Sequence, residues 1–195
     1  MKHFISKNIK VFLFGGVLHM SCFHLVYNHD MKVSKGKMLT NLFHGHRIEA
    51  ERIDLLEEEI CSPSLSEPYT VIEYGIYLHE TGIRIGNCDL RVGMNDELYY
   101  AGNVGYRIYE PYRGNGYAYD AAHVLLQEAK LIYGMKYLII TCSPENVASK
   151  KTLEKLRGKL IAVAEVPQEH WLYRRGEKVK DIYFFDLEEG HEVAG

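Results

Sequence analysis

The six residues from Arg113 to Ala118 constrain the fold of this chain more than any other segment. They read Arg-Gly-Asn-Gly-Tyr-Ala and lie between a β-like run, Tyr99 to Tyr109, and an amphipathic run, Tyr117 to Tyr133. In a strand–turn–helix unit the first helical N–H groups lack intrahelical acceptors, and the helix dipole adds partial positive charge there. The segment therefore predicts a binding site for a phosphorylated ligand.

The glycines and the arginine of this loop suit that role. Gly114 and Gly116 allow dihedral angles that a Cβ would block, and Arg113 adds a permanent cation whose planar geometry matches phosphate. An ordinary turn would use the same glycines, so the glycines alone leave both interpretations open. The P-loop ending Gly-Lys-Ser/Thr is absent, and residue 119 is a tyrosine where a Gly-x-Gly-x-x-Gly motif needs its third glycine.

A second segment agrees with the first. Tyr137 to Cys142 reads as a short buried strand, and Ser143 to Leu156 reads as a helix that starts near Asn146 and ends in Glu-Lys-Leu. Together with the Arg-x-x-Gly-x-Ala pattern of the loop, this segment resembles the GNAT superfamily of acyl-CoA N-acyltransferases. The resemblance runs from about Ile48 to Leu187. The lead-in Glu110 to Gly114 is similar to the branch that contains the ribosomal-protein alanine acetyltransferases.

The resemblance implies an α/β (α+β) fold, with a mixed, mostly antiparallel sheet flanked by helices in the order β-βββ-α-β-α-β-β. The residue patterns predict strands at Ile48–Ile53, Val71–Leu78, Ile83–Val92, Leu98–Ile108, Tyr137–Cys142, Leu160–Val166 and Asp181–Leu187. Between the first two strands, Leu56–Pro68 is predicted to form one helical turn and a loop. The family usually places two helices there, which form one wall of the acceptor site, so the acceptor is the least constrained part of the prediction.

The resemblance further implies an N-acetyltransferase that uses acetyl-CoA as cosubstrate. The acceptor would be a primary amine, on a small molecule or at a peptide N-terminus, that attacks the thioester directly. The implied cofactor-binding residues are Tyr106, Arg107, Ile108, Arg113, Gly114, Asn115, Gly116, Tyr117, Ala118 and Asn146. In this arrangement the loop amides hold the pyrophosphate, and the preceding strand pairs with the pantetheine arm and polarises the thioester oxygen.

Asn146, Ser149 and Glu110 are the catalytic candidates, and each has a structural alternative. Asn146 either caps its helix or also hydrogen-bonds the pantetheine or acceptor side of the channel. Ser149 either belongs to the same cap or, by resemblance, lies near the leaving thiol. Glu110 is either a base or a structural partner of Arg113.

The proton donor for the departing thiolate is not identified by the sequence. Many relatives carry a tyrosine for this role where this chain has Leu153, and Tyr106, Tyr109 and Tyr112 are aromatic candidates nearby. With 15 tyrosines in the chain, packing explains any one of them equally well. A non-catalytic acyl-CoA-binding or sensor module is therefore the alternative function.

The composition argues against several other classes. The 195 residues are 47% hydrophobic and 25% charged, as in a globular domain. A net charge of −3 argues against a general nucleic-acid-binding protein. Four scattered cysteines without a Cys-x-x-Cys pair argue against a disulfide framework or a zinc site, and no metal is predicted. The oligomeric state stays open, with a homodimer among the alternatives.

Residues 1–37 are predicted to be an N-terminal extension, and residues 38–195 a single GNAT-like domain. The apolar run Val11–Leu18 imitates a signal peptide, but no small-x-small cleavage site follows. It is also shorter than the roughly twenty residues of a membrane span. An upstream start before Met31 or Met38, a weak membrane anchor and a docked extra element remain as alternatives. Because acyl-CoA is a cytosolic cosubstrate, the protein is predicted to be cytoplasmic.

Overall fold

The computed structural model describes residues 45–63 and 68–188. In chain order the elements are β1 (Arg47–Glu49), β2 (Ile53–Cys61), β3 (Thr70–Leu78), β4 (Arg84–Val92), α1 (Asp96–Ala101), β5 (Val104–Ile108), a 3-10 turn (Glu110–Tyr112), α2 (Tyr117–Leu131), β6 (Tyr137–Cys142), α3 (Val147–Lys155), β7 (Lys159–Glu165), α4 (Trp171–Arg174) and β8 (Val179–Asp186). The predictions for residues 1–37 lie outside the described residues. Within the described ranges, no helix combines the length and apolar character needed to cross a membrane.

The strands form two antiparallel sheets. The first contains five strands in the order β1-β2-β3-β4-β5, and the second contains three in the order β6-β8-β7. The strands β5 and β6, which end the two sheets, are not paired as neighbours. The space between them is called the β5–β6 opening below.

The core lies between the five-stranded sheet and α2. Alternate residues of a strand point to the same face, and Leu55 on β2 lies opposite Ile76 on β3 in the register of the sheet. The helix α2 presents a row of fully buried residues at helical spacing. Small alanines in this row let the helix lie close to the sheet, which determines where its N-terminus points. The buried residues of the two surfaces are Leu55, Ile72, Tyr74, Ile76, Cys88 and Leu90 on the sheet and Ala121, Ala122, Leu125 and Ala129 on α2.

The predicted fold class is confirmed, and several elements lie close to their predicted bounds. The strand Tyr137–Cys142 has the predicted ends, and α2 begins at Tyr117 as expected. The hairpin between β3 and β4 is also present, with Gly82 in its turn at a φ of 67°. Just beyond the end of α2, Gly134 has a φ of 62°, which is common for a glycine that follows a helix.

The prediction of a continuous strand at Ile48–Ile53 is wrong at residues 50–52, and the predicted helical turn from Leu56 is wrong. Residues 64–67 of the predicted connection Leu56–Pro68 lie outside the described residues. The chain forms the short strand β1, breaks at residues 50–52, and then continues as the nine-residue strand β2. Three successive glutamates, Glu57 to Glu59, made this segment read as a connection, because glutamate is depleted in strands. Pairing with β3 along the length of β2 overrides that local preference, with a register shift between Glu57 and Glu59.

The predicted strand Leu98–Ile108 is also wrong in its first half. Asp96–Ala101 is the helix α1, and only Val104–Ile108 is a strand. The side chain of Asn95 caps this helix by accepting from Leu98 N at 2.8 Å, and Gly102 follows it with a φ of 78°. The Asn-Asp-Glu start and the glycine end are ordinary helix signals, and the aromatic residues between them masked these signals.

Candidate active site

The loop between β5 and α2 has a backbone that glycine adopts readily and other residues do not. Gly114 and Gly116 have φ angles of 83° and 82°, in the left-handed region. Gly116 is the N-cap residue of α2 and offers no side chain to the first turn of the helix. The N-terminal end of α2 is therefore not closed by its own cap.

The backbone N–H groups of residues 114–118 have no acceptor within the described part of the chain. The next two amides do bond back to the loop, since Tyr119 N and Asp120 N donate to Gly116 O at 2.9 and 3.2 Å. The free donors are joined by the dipole of a 15-residue helix. The loop residues predicted to bind cofactor thus lie together at a surface that can hold an anion.

The side chain of Arg113 braces this loop against the preceding strand. Its Nε donates to Ile108 O at 3.0 Å. This bond uses one of the five guanidinium donors, and the others have no partner among the described residues. Arg113 is therefore positioned by the sheet while keeping charge at the loop.

A second arginine, Arg52, lies beside the loop and was missed by sequence reasoning. It comes from the turn between β1 and β2, donates to Asn115 O at 3.0 Å and pairs with Asp120 Oδ2 at 2.6 Å. Its guanidinium also lies 5.3 Å from the centre of the Tyr117 ring. Because Asp120 sits in the first turn of α2, its charge would oppose an incoming phosphate, and Arg52 offsets that charge. A separation of 63 residues left no sequence signal for this contact.

One edge of β5 faces the β5–β6 opening with N–H groups that have no backbone partner among the described residues. Of the described strands, β5 pairs only with β4, and Tyr109 N donates to Ile85 O at 2.8 Å at its end. Since residues alternate in direction along an antiparallel strand, the N–H groups of Tyr106 and Ile108 point away from β4. They can therefore pair with an extended ligand or donate to a carbonyl oxygen.

Asn103 joins the two sheets at one end of this opening. It is fully buried. Its backbone N donates to Ile139 O at 2.6 Å, and its Oδ1 accepts from Ile139 N at 2.8 Å. Its Nδ2 donates to Arg91 O at 3.0 Å and to Gly93 O at 2.7 Å. Sequence reasoning missed this residue because it lay inside the predicted strand Leu98–Ile108, where nothing marked it as a link to a distant strand.

Tyr106, Ser149 and Asn146 form a connected set across the opening. Tyr106 Oη lies 2.7 Å from Ser149 Oγ, and Ser149 N donates to Asn146 Oδ1 at 3.0 Å. Asn146 therefore caps α3, and the cap uses only its oxygen. Burial raises the pKa of Tyr106 to about 12, so the phenol is protonated at neutral pH.

The remaining predicted residues lie in different surroundings. The side chain of Ile108 is buried, so only its backbone can meet a ligand. Arg107 is exposed and lies on the opposite face of β5 from Tyr106. Glu110 is exposed in the 3-10 turn, and its carbonyl accepts from Arg113 N at 3.2 Å. Leu153 is fully buried in the core.

Burial also raises the pKa of the Cys142 thiol, and the nearby carboxylate of Asp181 adds to this shift. A thiol with a raised pKa carries little thiolate at neutral pH and is a poor nucleophile. Within the described ranges, no group of three or more metal-ligating side chains could hold a metal ion.

Known structures share this fold. An acetyltransferase from Agrobacterium tumefaciens str. C58 is 22% identical, with a TM-score of 0.53, and the match covers 73% of this chain and 95% of that one. A GNAT-family acetyltransferase from Bacillus anthracis is 18% identical, with a TM-score of 0.55 and coverage of 74% and 100%. The ribosomal-protein-S5-alanine acetyltransferase from Vibrio fischeri is 14% identical, with a TM-score of 0.55 and coverage of 74% and 98%. No curated protein sequence matches this chain.

The family model described as the acetyltransferase (GNAT) domain matches residues 28–159. This match takes in the loop, the β5–β6 opening and the start of α3. It also begins before residue 38. Because it covers more than half of the chain, the protein belongs to the GNAT acetyltransferase domain family and is an acyltransferase.

Proposed function

We propose that this protein transfers an acetyl group from acetyl-CoA to a primary amine by direct attack on the thioester. The observation that carries the proposal is the row of N–H groups at residues 114–118 that have no acceptor in the described part of the chain, next to the edge of β5 that no described strand covers. A diphosphate needs several donors at one point, and an extended pantetheine arm needs a strand edge. The two features adjoin in the order in which these groups occur in coenzyme A.

Separate groups of the chain bind the diphosphate, polarise the thioester and contact the pantetheine or the acceptor. The loop amides and Arg113 hold the diphosphate, and Arg52 offsets the charge of Asp120 nearby. An N–H group on the open edge of β5 donates to the thioester oxygen, where one such donor is typically worth about 3 kcal/mol of barrier. The free amide nitrogen of Asn146 donates to the pantetheine or the acceptor.

Direct attack is favoured over a covalent enzyme intermediate. Cys142 ends β6, which borders the β5–β6 opening, and burial raises its pKa. A neutral amine is a competent nucleophile without such an intermediate. We therefore assign no covalent step to the protein.

The acceptor we favour is a peptide N-terminus. Deprotonating a lysine-like amine at pH 7 costs about 4 to 5 kcal/mol, whereas an α-amine with a pKa near 8 costs about 1 kcal/mol. Glu110, which the sequence suggests as either a base or a structural partner of Arg113, is exposed and has no side-chain partner among the described residues to orient it. An α-amine needs the least free energy to lose its proton, so it suits a site whose candidate base is exposed and not held in place. A small-molecule amine is the other acceptor class, and we place the reaction in the cytosol, where acetyl-CoA is available.

The experiment combines two measurements on the full chain. Titration calorimetry with coenzyme A tests the binding site, and a thiol-release assay with acetyl-CoA tests transfer to peptides, polyamines, amino sugars and amino acids. We expect binding, and turnover fastest with a peptide N-terminus. Absence of binding would contradict the proposal. Binding without turnover on any amine would instead support a non-catalytic acyl-CoA module, an alternative that the burial of Leu153 favours.

A further inference from the structure

The phenol of Tyr106 occupies a distinctive place in the β5–β6 opening. Its register partner on β4, Cys88, is buried, so its side chain lies on the core face of the sheet. From there it reaches the first turn of α3, where its Oη is 2.7 Å from Ser149 Oγ. The ring therefore spans from the edge of β5 to the start of α3.

If the pantetheine arm runs from the loop along the open edge of β5, as proposed above, the thioester lies beside Tyr106 and the transfer reaction places negative charge there. When the amine nitrogen bonds to the thioester carbon, the carbon–sulfur bond breaks and the electron pair stays on sulfur. A hydrogen-bond donor that faces the sulfur stabilises this developing charge. Leu153 cannot supply a donor, because its side chain is apolar and fully buried.

We propose that Tyr106 donates a hydrogen bond to the leaving sulfur of coenzyme A, and that Ser149 positions the phenol for this contact. The proposal rests on the proposed acetyl transfer. It assigns Tyr106 as a catalytic residue and Ser149 as a positioning residue.

The pKa values of the Tyr106 phenol and of the coenzyme A thiol decide whether the phenol only donates a hydrogen bond to the sulfur or transfers its proton to it. The pKa of Tyr106 is raised to about 12 by burial, and a cysteine thiol, the reference for a biological thiol, has a pKa of about 8.5. Moving the proton from the phenol to the thiolate is therefore unfavourable by about three orders of magnitude. The phenol keeps its proton and donates a hydrogen bond, and the proton lost by the amine nitrogen passes through water to the sulfur. The products are then an amide and a thiol, with atoms and charges balanced.

The first test measures the thiol pKa of bound coenzyme A and needs no acceptor. Iodoacetamide alkylates the thiolate form, so the pH dependence of its reaction with bound coenzyme A, followed by mass spectrometry of the coenzyme, gives this pKa for the wild type and for Tyr106→Phe. A donor to sulfur stabilises the thiolate and lowers the thiol pKa. We expect the pKa to rise by about one unit in Tyr106→Phe, which corresponds to loss of one charge-assisted hydrogen bond.

Kinetics supply the second measurement. With an amine that the wild type acetylates, Tyr106→Phe should lower kcat by about tenfold to a hundredfold while the Kd of coenzyme A changes by less than about twofold. Tyr133→Phe is the matched control, because Tyr133 is a half-buried tyrosine beyond the other end of α2. It should change neither value.

Ser149→Ala keeps the phenol of Tyr106 and removes the hydroxyl that hydrogen-bonds it. This variant replaces Tyr106→Phe as the test if Tyr106→Phe does not fold. It should shift the thiol pKa in the same direction by a smaller amount. An unchanged thiol pKa and kcat in these variants would overturn the proposal, as would loss of thermal stability alone. Failure of the wild type to bind coenzyme A would instead overturn the proposed function.

Discussion

The N-termini of α2 and α3 lie at similar places in the fold but differ in whether a side chain caps their first turn. Each helix follows a strand that borders the β5–β6 opening. At α3, the side chain of Asn146 accepts from Ser149 N and satisfies the first turn. At α2, Gly116 has no side chain to do this, and the amides of residues 114–118 stay free within the described ranges. One helix start is closed by the protein itself, and the other is open to a ligand.

A glycine at an N-cap therefore indicates a function only when the neighbouring amides are also unpaired. Glycine is an acceptable N-cap in many helices, at a small loss relative to asparagine. Here Gly116 has a left-handed φ, and the amides of residues 114–118 have no acceptor within the described residues. The closed start of α3 then holds Ser149 and, through it, Tyr106.

The largest effect is expected from removing the residue that joins the strands leading to these two helix starts. Asn103→Ala deletes three side-chain hydrogen bonds and leaves the buried N–H of Ile139 unpaired. We expect the free energy of unfolding to fall by about 3 kcal/mol or more. Urea denaturation measures this, with Asn87→Ala, an exposed position on β4, as control. A loss below about 1 kcal/mol would show that Asn103 does not hold the sheets together.

The open start is tested by Gly116→Val. A β-branched residue is strained at a φ of 82°, so the loop amides should lose their common direction. We expect the Kd of coenzyme A to rise at least about tenfold, the equivalent of about 1.4 kcal/mol. Gly134→Val is the matched control, because Gly134 also has a positive φ and lies at the other end of α2. If both variants lose stability equally but only Gly116→Val raises the Kd of coenzyme A, the result supports the site. Unchanged coenzyme A binding in Gly116→Val would contradict it.

The charge beside the open start is tested by Arg52→Ala. This change leaves the Asp120 carboxylate unpaired in the first turn of α2. The Kd of coenzyme A should rise by about fivefold, near 1 kcal/mol for a partly exposed pair. The double variant Arg52→Ala with Asp120→Asn should recover most of this loss, because the repelling charge is gone. No recovery would mean that Arg52 acts on the loop only through its bond to Asn115 O.

The closed start is tested by comparing two substitutions of Asn146. Asn146→Asp keeps the capping oxygen and removes the amide donors, whereas Asn146→Ala removes both. We expect Asn146→Ala to lower stability by about 1 kcal/mol and Asn146→Asp to leave it nearly unchanged. Both should lower turnover by severalfold in a thiol-release assay. If Asn146→Asp keeps full turnover, Asn146 has only a capping role.

Most of the fold could be predicted from the sequence where one local pattern dominated. The alternation of β3 and β4 and the helical spacing of α2 lie within single segments. The prediction is wrong for β2 and α1, because pairing with β3 and capping by Asn95 outweighed composition. In the candidate site, the loop and Asn146 could be identified from the chain alone. Arg52 and Asn103 could not, since their roles depend on contacts between distant segments.

The proposed function depends above all on the free amides at the start of α2 binding the diphosphate of coenzyme A. Amide nuclear magnetic resonance of the full chain during a coenzyme A titration observes these groups one by one. We expect the largest shifts to fall on residues 114–118, with smaller shifts at the capped start of α3. Binding with unchanged signals from residues 114–118 would contradict this assignment.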